Sequence, residues 1–176
     1  MIVRPAQLGD LNPCYEMDKS YVTDHVWQMQ SHGGARSIDV RFDVVRLPRP
    51  MKVAYPRDSD ELLANWRQEQ CFLISSDDTE QVLGFLDVTA QAWHGTAWIR
   101  NLVVDKDHRR QGVGTYLLRA ARAWASDNGL KRMMAEAQTK NYPAIRCFQK
   151  HGFAYCGYND RYYTNGDIVV FFLLRL

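Results

Sequence analysis

A short segment rich in arginine and glycine, Arg109 to Gly114, constrains this chain more than any other part of it. It joins an apolar run that ends at Val104 to a stretch whose helical spacing begins at Val113. Two glycines two positions apart let the backbone turn tightly and bring several N–H groups to one point. Because a helix N-terminus favours negative charge, the segment predicts a diphosphate site, with Arg109 and Arg110 as further donors.

Two common phosphate-binding loops do not fit the segment. A dinucleotide-binding Rossmann loop has a third glycine, whereas Gly114 is followed by Thr115-Tyr116-Leu117. A Walker A loop has Gly-Lys-Ser/Thr, and the sequence lacks it. A plain glycine turn with solvated arginines remains the alternative to a diphosphate site.

Composition narrows the class of protein. The chain has 176 residues, 46% of them hydrophobic and 24% charged, which is ordinary for one globular domain. A net charge of +2 with scattered basic residues argues against a nucleic-acid partner. No stretch approaches the roughly 18 apolar residues of a membrane-crossing helix, and the N-terminus lacks a signal-peptide pattern. The four cysteines and five histidines show no metal-ligand spacing, so we expect no metal site and a cytoplasmic protein.

Periodicity predicts the order of secondary-structure elements. In the first half we expect the edge strand Ile2–Ala6, helices Asp10–Lys19 and Tyr21–Gln30, strand Ile38–Val44, an irregular stretch Arg46–Pro56, and helix Asp58–Glu69 capped by Ser59. In the second half we expect strands Cys71–Ser75, Val82–Gln91 and Trp98–Val104, helix Val113–Asn128, strand Lys131–Ala137, a short helix capped by Asn141, and strands Phe153–Tyr158 and Ile168–Leu174. This order predicts a single domain of mixed α/β (α+β) architecture.

The glycine segment resembles the (Q/R)xxGx(G/A) signature of the GNAT family of N-acetyltransferases. Trp98–Val104 resembles the strand before that signature, and Asn141 to Phe153 resembles the later N…A…(F/Y)…GF block. The resemblance covers about Val82 to Leu176 and implies one domain over residues 1–176. That domain would have a mixed central sheet with two splayed parallel strands, flanked by helices. Residues 1–81 would form the variable front end, on the acceptor side.

The resemblance also implies that acetyl-CoA is the co-substrate. Its diphosphate would lie on the backbone of Arg109 to Thr115, and its pantetheine arm between Trp98–Val104 and Lys131–Ala137. The residues assigned to acetyl-CoA in this way are Leu102, Val103, Val104, Arg109, Arg110, Gln111, Gly112, Val113, Gly114, Thr115, Asn141, Ala144 and Phe148.

The chemistry of such an enzyme requires a group that collects a proton. The acceptor amine attacks the thioester directly, but with a pKa of about 10.4 very little of it is neutral at pH 7. Family members often carry a glutamate on the second splayed strand, and Glu136 stands there among apolar neighbours that favour a raised pKa. The alternative is that Glu136 pairs with an arginine or lies in the substrate pocket.

The position of the general acid departs from the family pattern. Many relatives place a tyrosine on the short helix to protonate the leaving thiolate, and the corresponding residue here is Phe148. Tyr142 or a water would substitute for it, or no acid is needed, because a thiol with a pKa of about 8.5 leaves readily. Cys147 is expected to be a buried apolar residue rather than a nucleophile.

The acceptor is predicted from aromatic and acidic residues, which suit a cation. The residues assigned to acceptor binding are Tyr21, Asp24, Trp27, Asp87, Trp93 and Trp98. The run from Trp93 through Glu136 to the apolar end of the chain resembles streptothricin acetyltransferases, so a small cationic amine is favoured. Arg161-Tyr162-Tyr163 instead resembles a segment of ribosomal-protein N-terminal acetyltransferases, which would act on a peptide.

Two further possibilities stay open at this point. One is a non-catalytic domain that binds acyl-CoA and regulates a partner. The other is a homodimer, in which the apolar final strand joins a sheet across the interface.

Overall fold

The computed structural model describes residues 1–57, 61–68 and 70–176 of the chain. Within these residues there are nine strands and four α-helices. In chain order they are β1 Ile2–Pro5, α1 Leu11–Glu16, β2 Tyr21–Gly33, β3 Ile38–Val53, α2 Leu62–Arg67, β4 Cys71–Ser76, β5 Val82–Gln91, β6 Thr96–Val104, α3 Val113–Asp127, β7 Arg132–Gln138, α4 Tyr142–Lys150, β8 Ala154–Asn159 and β9 Val169–Arg175.

Seven strands form one mixed sheet in the order β1-β4-β5-β6-β7-β9-β8, and β2 pairs with β3 in a separate two-stranded sheet. Neighbours in the large sheet are antiparallel, except that β6 and β7 are parallel. The α/β (α+β) architecture expected from the element order is therefore confirmed.

The two parallel strands separate part-way along their length. β6 pairs with β7 only over Thr96–Trp98 and Arg132–Met134, and the remainder of each strand continues without pairing to the other. A V-shaped opening therefore begins beyond Trp98 and widens toward the C-terminal ends of both strands. The expected splay is confirmed.

Each face of the large sheet has its own apolar core. α3 and α4 cover one face, where Leu117, Ala121 and Ile145 are fully buried. α1 and α2 cover the other face, around Ile74 and Phe85. Complete burial of such a side chain is worth about 1.5–3 kcal/mol, so Leu117→Ala would cost about 2–5 kcal/mol including the cavity it leaves.

The buried face of α3 agrees in part with the one that its spacing predicts. Spacing in the sequence picks out Val113, Leu117, Ala120 and Trp124; the first two are buried, whereas Ala120 and Trp124 are only partly buried. Leu118, Ala121 and Ala125 are buried instead, because α3 packs against several strands at once and not along a single seam.

The expectation of a helix over Tyr21–Gln30 is wrong, because this segment is part of strand β2. Burial alternates at its start, with Tyr21 and Thr23 buried while Val22 and Asp24 are exposed. That period of two belongs to a strand, and antiparallel pairing with β3 as far as Val53 outweighs any local helical preference.

The stretch Arg46–Pro56 is likewise not irregular over most of its length, since β3 continues to Val53. Its prolines fit because the register shifts: Thr23 pairs with Met51, whereas His25 pairs with Arg46. Residues 47–50, which include Pro48 and Pro50, fall in this shift, where no ladder donor is required.

Helices α1 and α2 are shorter than expected, and the remaining elements agree closely with expectation. For α2, Asp58, the proposed cap Ser59, Asp60 and Glu69 lie outside the described residues. Within α2, Leu62 is buried and its neighbour Leu63 is exposed.

The final strand offers no edge for a dimer. β9 is paired with β7 along one side and with β8 along the other. The expectation that it joins a sheet across a homodimer is therefore wrong.

Candidate active site

The segment between β6 and α3 forms a turn that ends at the helix N-terminus. Gly112 is the N-cap of α3 and has φ +93°, a backbone conformation that strains any residue with a Cβ. The first hydrogen bond of the helix runs from the N–H of Tyr116 to the carbonyl of Gly112. The N–H groups of Gly112, Val113, Gly114 and Thr115 thus have no partner within the helix, as expected at a site for a diphosphate.

Side chains of this segment hold its shape. Arg109 Nε donates to the carbonyl oxygen of Val104 (2.9 Å), and its terminal nitrogen donates to that of Asp18 (3.2 Å). Gln111 donates to the carbonyl oxygen of Asp107 (2.9 Å). The Arg109 guanidinium therefore donates to two protein carbonyl oxygens. Its assignment to acetyl-CoA stays a prediction. Arg110, with φ +62°, is exposed.

Two contacts outside the segment also position α3. Gly84 on β5 has no room for a side chain, because a Cβ would lie 2.7 Å from the carbonyl oxygen of Val103 and 3.1 Å from Val113. Thr115 Oγ1 lies 3.1 Å from His151 Nε2, at the end of α4. The sequence patterns did not single out Gly84 or His151. For Gly84 a signal was present, because a glycine inside an apolar strand such as β5 indicates close backbone approach.

The opening between β6 and β7 contains a small cleft. The residues that line it are Tyr55, Pro56, Arg57, Arg100, Glu136, Ala137, Gln138, Asn141 and Tyr163. Leu102, Val103 and Val104 lie on the part of β6 that does not pair with β7. Asn141 Oδ1 accepts a hydrogen bond from the N–H of Ala144 (3.1 Å), which caps α4 and fixes the Asn141 side chain at the cleft.

Glu136 is the acidic centre of the cleft, with a side chain that is 4% exposed. Arg57 donates to Oε1. Tyr162 (2.9 Å) and the indole N–H of Trp98 (3.2 Å) donate to Oε2, and Tyr163 lies 3.4 Å from Oε1. These four donors match the four hydrogen bonds that a carboxylate can accept. The alternative in which Glu136 pairs with an arginine therefore describes this structure.

Aromatic rings surround the carboxylate of Glu136. Phe171 lies 5.8 Å from the ring of Trp98 and 5.6 Å from that of Tyr162, and Tyr162 lies 5.1 Å from Tyr163. Burial, together with the negative charge of Glu136, raises the pKa of both tyrosines. Both phenols are therefore protonated donors near neutral pH.

A second buried carboxyl, Asp87, lies one strand further from the opening. Burial raises the pKa of Asp87 to about 6, although Asn65 donates a hydrogen bond to its Oδ2 (2.8 Å). Asn101 accepts from the hydroxyl of Tyr55 (3.0 Å). Asp87 on β5 is the strand partner of Asn101 on β6, and its assignment to acceptor binding stays a prediction.

Of the residues assigned to the acceptor, only Trp98 touches Glu136. Tyr21 is buried and its hydroxyl donates to Gln138 (2.8 Å), while Asp24 pairs with His25 at the surface. Trp27 packs against Phe42, Tyr155 and Phe172 in the aromatic core between the hairpin and the sheet. Trp93 is 85% exposed in the turn before β6, at the end where β6 and β7 are still paired. These four residues therefore lie apart from Glu136, and their assignment to acceptor binding stays a prediction. Packing between segments that are distant in sequence decides where they lie, and spacing does not reveal it.

Three side chains of α4 that the sequence singles out, Tyr142, Phe148 and Cys147, differ in exposure. Tyr142, the first residue of α4, is half-buried and stacks on His25 with ring centroids 5.1 Å apart. Phe148 is buried against Phe153 and Phe172, so its assigned contact with acetyl-CoA is not visible at the cleft. Burial raises the pKa of the Cys147 thiol, which disfavours a thiolate nucleophile.

Residues 42–153 match the model of the Acetyltransferase (GNAT) family, which is more than half of the chain. The chain belongs to the GNAT acetyltransferase family. As a GNAT N-acetyltransferase it uses acetyl-CoA and acts on an amine acceptor. Among the residues described, this acetyltransferase has no helix long and apolar enough to cross a membrane. The same residues include no group of three or more His, Cys, Asp or Glu side chains that could hold a metal ion.

The relatives of this acetyltransferase include several streptothricin or nourseothricin acetyltransferases. It is 26% identical over 167 residues to a streptothricin acetyltransferase of Streptomyces lavendulae, covering 91% of this chain and 85% of that one. Its fold matches nourseothricin acetyltransferase with a TM-score of 0.82 at 22% identity, over 99% of this chain and 97% of that one. It also matches a Bacillus anthracis str. Ames protein assigned to the streptothricin acetyltransferases and solved in complex with acetyl coenzyme A, with a TM-score of 0.81 at 22% identity, over 99% and 98% of the two chains.

Proposed function

We propose that this enzyme acetylates a primary amine of a small cationic molecule, such as a streptothricin-like antibiotic. The observation that carries the proposal is the buried carboxylate of Glu136, set among Trp98, Tyr162 and Phe171 beside the opening between β6 and β7. A carboxylate with aromatic rings around it is a favourable site for an ammonium group. The similarity to the streptothricin acetyltransferase of Streptomyces lavendulae supports the same class of acceptor.

The binding of acetyl-CoA would divide between two parts of the chain. The free N–H groups from Gly112 to Thr115 suit the diphosphate, because they converge where the helix dipole is positive. The unpaired edges of β6 and β7 suit the amide groups of the pantetheine arm, since their backbone donors and acceptors are not used by each other. When bound, acetyl-CoA supplies a thioester whose C–S bond is replaced by a C–N bond to the acceptor.

Glu136 would bind the acceptor as an ammonium ion and then collect its proton. A protonated amine has no lone pair for attack, and a general base typically contributes about 10²–10⁴-fold to such a step. For Glu136 to act, one of its present donors must move, because its four acceptor positions are filled. Arg57 is the donor that the ammonium group of the acceptor can replace, because both are cations.

Tyr142 is the proposed proton donor to the departing thiolate. Phe148 cannot fill this role, because its ring has no proton to donate. Tyr142 follows Asn141, which lines the cleft, and its phenol is bonded to no other group among the described side chains. The contribution would be modest, since a thiolate is a good leaving group.

The test is release of CoA from acetyl-CoA in the presence of a panel of amines: streptothricin, spermidine, a lysine-bearing peptide and a peptide that begins with Ala. The proposal expects release with streptothricin or spermidine, and a product heavier by one acetyl group. Release with the peptides alone would overturn it in favour of a protein acetyltransferase. Tight acetyl-CoA binding without release on any amine would overturn it in favour of a regulatory domain.

A further inference from the structure

A four-residue segment after β3, Ala54 to Arg57, spans the acceptor face of the opening, and we call it the strap. Tyr55 attaches it to β6, through the hydrogen bond from its hydroxyl to Asn101 (3.0 Å). Arg57 attaches it to β7, through the ion pair with Glu136. The strap therefore bridges the two strands at the point where they have separated.

The ion pair has a feature that is unusual for an arginine. A single terminal nitrogen of Arg57 contacts Glu136, and the same nitrogen lies 3.5 Å from the hydroxyl of Tyr162. Arginine commonly binds a carboxylate with two parallel hydrogen bonds, and here it does not. A primary ammonium also presents one nitrogen, with three donors, so it can replace this contact without loss of geometry.

Charge balance in the cleft depends on Arg57. Arg100, which also lines the cleft, pairs with Glu61 at the surface (3.5 Å). If Arg57 leaves, the carboxylate of Glu136 is left buried without a cation, which is strongly unfavourable. Only an acceptor that brings its own positive charge restores the balance, whereas a neutral or anionic acceptor does not.

We propose that Arg57 is an internal placeholder for the acceptor's ammonium group, and that exchange of one cation for the other selects cationic acceptors. The inference rests on the proposed function, because it concerns the same carboxylate. Arg57 then acts on specificity through Glu136 and does not take part in the chemical step. The Arg57 side chain is 15% exposed while it is paired with Glu136. Its guanidinium moves out into solvent when the acceptor binds.

Steady-state kinetics with streptothricin test the exchange. Removal of an internal competitor raises the fraction of enzyme ready to bind, so Arg57→Ala and Arg57→Gln should lower the KM for streptothricin about ten-fold. Arg57→Lys keeps a competing cation and should stay close to the wild-type KM. Arg100→Ala is the matched control, since it removes a cation from the same cleft without exposing Glu136. The KM for acetyl-CoA should stay unchanged in all four variants.

Free ethylguanidinium provides a second readout. It should inhibit Arg57→Ala competitively with streptothricin, because it can occupy the vacated position, and should inhibit the wild type far less. A higher KM for streptothricin in Arg57→Ala and Arg57→Gln, at an unchanged melting temperature, would overturn the inference, and so would equal inhibition of both proteins. If neither the alanine nor the glutamine variant folds, Arg57→Lys carries the test: a wild-type-like KM for streptothricin is expected, and a clearly higher KM in the folded Arg57→Lys enzyme would overturn the inference.

Failure of this inference is distinguishable from failure of the proposed function. Wild-type enzyme that releases no CoA with streptothricin or spermidine contradicts the function itself. Wild-type enzyme that is active, with variants whose KM does not fall, contradicts only the role of Arg57.

Discussion

Arg57 donates a hydrogen bond to the carboxylate of Glu136, which lies 79 positions further along the chain. Burial acts to lower the pKa of Arg57, but the charge and hydrogen bond of Glu136 outweigh it, and the pKa is raised. The arginine therefore remains charged at every physiological pH. This pair joins the front end of the chain, which contains the strap, to the strands that form the opening.

The turn before α3 yields the first prediction. Gly112→Val should weaken acetyl-CoA binding by about ten-fold or more, because a branched residue at φ +93° costs about 1–3 kcal/mol and moves the N–H groups apart. Isothermal titration calorimetry with acetyl-CoA measures the effect. The matched control is Gly129→Val at the other end of α3, where φ is +72° and the surroundings are open. Equal affinities in the two variants would show that the diphosphate binds elsewhere.

Asp87 yields a prediction about stability and pH. Its folded-state pKa of about 6 lies above the unfolded value, so the folded state holds the proton more tightly and stability falls as pH rises through this range. Asp87→Asn removes that dependence. Between pH 4 and pH 8 the free energy of unfolding of the variant should gain about 2–3 kcal/mol relative to wild type. Urea denaturation at a series of pH values measures this, and two parallel stability curves would contradict it.

Tyr142 yields a prediction about the leaving group. Tyr142→Phe removes the hydroxyl but keeps the ring that stacks on His25, so folding should be unaffected. Turnover should fall about ten- to a hundred-fold, the low end of general acid catalysis, because a thiolate leaves readily. Stopped assays of CoA release measure it, with the exposed Tyr15→Phe as control. Wild-type turnover in Tyr142→Phe would mean that a water protonates the departing thiolate, or that the thiolate leaves without an acid.

The parts of this fold that sequence reveals are those with a local physical cause. Gly112 and Asn141 mark helix starts because only certain residues accept those backbone conformations or cap those N–H groups. The apolar runs of β5 and β9 reveal buried strands for a similar reason, since both faces of each strand are covered. These signals need no knowledge of what lies elsewhere in the chain.

Features that depend on distant pairing were not accessible in this way. β2 is a strand because Tyr21 pairs with Val53 across a long hairpin, and nothing adjacent to Tyr21 signals that partner. Arg57 and Tyr55 belong to the cleft because β3 ends above it, and no motif marks them. Conversely, Trp27 and Trp93 are of a residue type that suits a cation site, but Trp27 lies in an aromatic core and Trp93 lies at the surface. Residue type alone therefore could not distinguish them from Trp98.

Glu136 is the residue that we propose receives the acceptor amine, while the N-terminus of α3 holds the diphosphate. Glu136→Gln keeps the size of the side chain but cannot carry the charge or collect the proton. Measurement of kcat with streptothricin at pH 7, alongside the dissociation constant of acetyl-CoA, separates the two sites. We expect kcat to fall about a hundred-fold or more while acetyl-CoA binds as in wild type. Unchanged turnover in a folded Glu136→Gln enzyme would contradict the proposal.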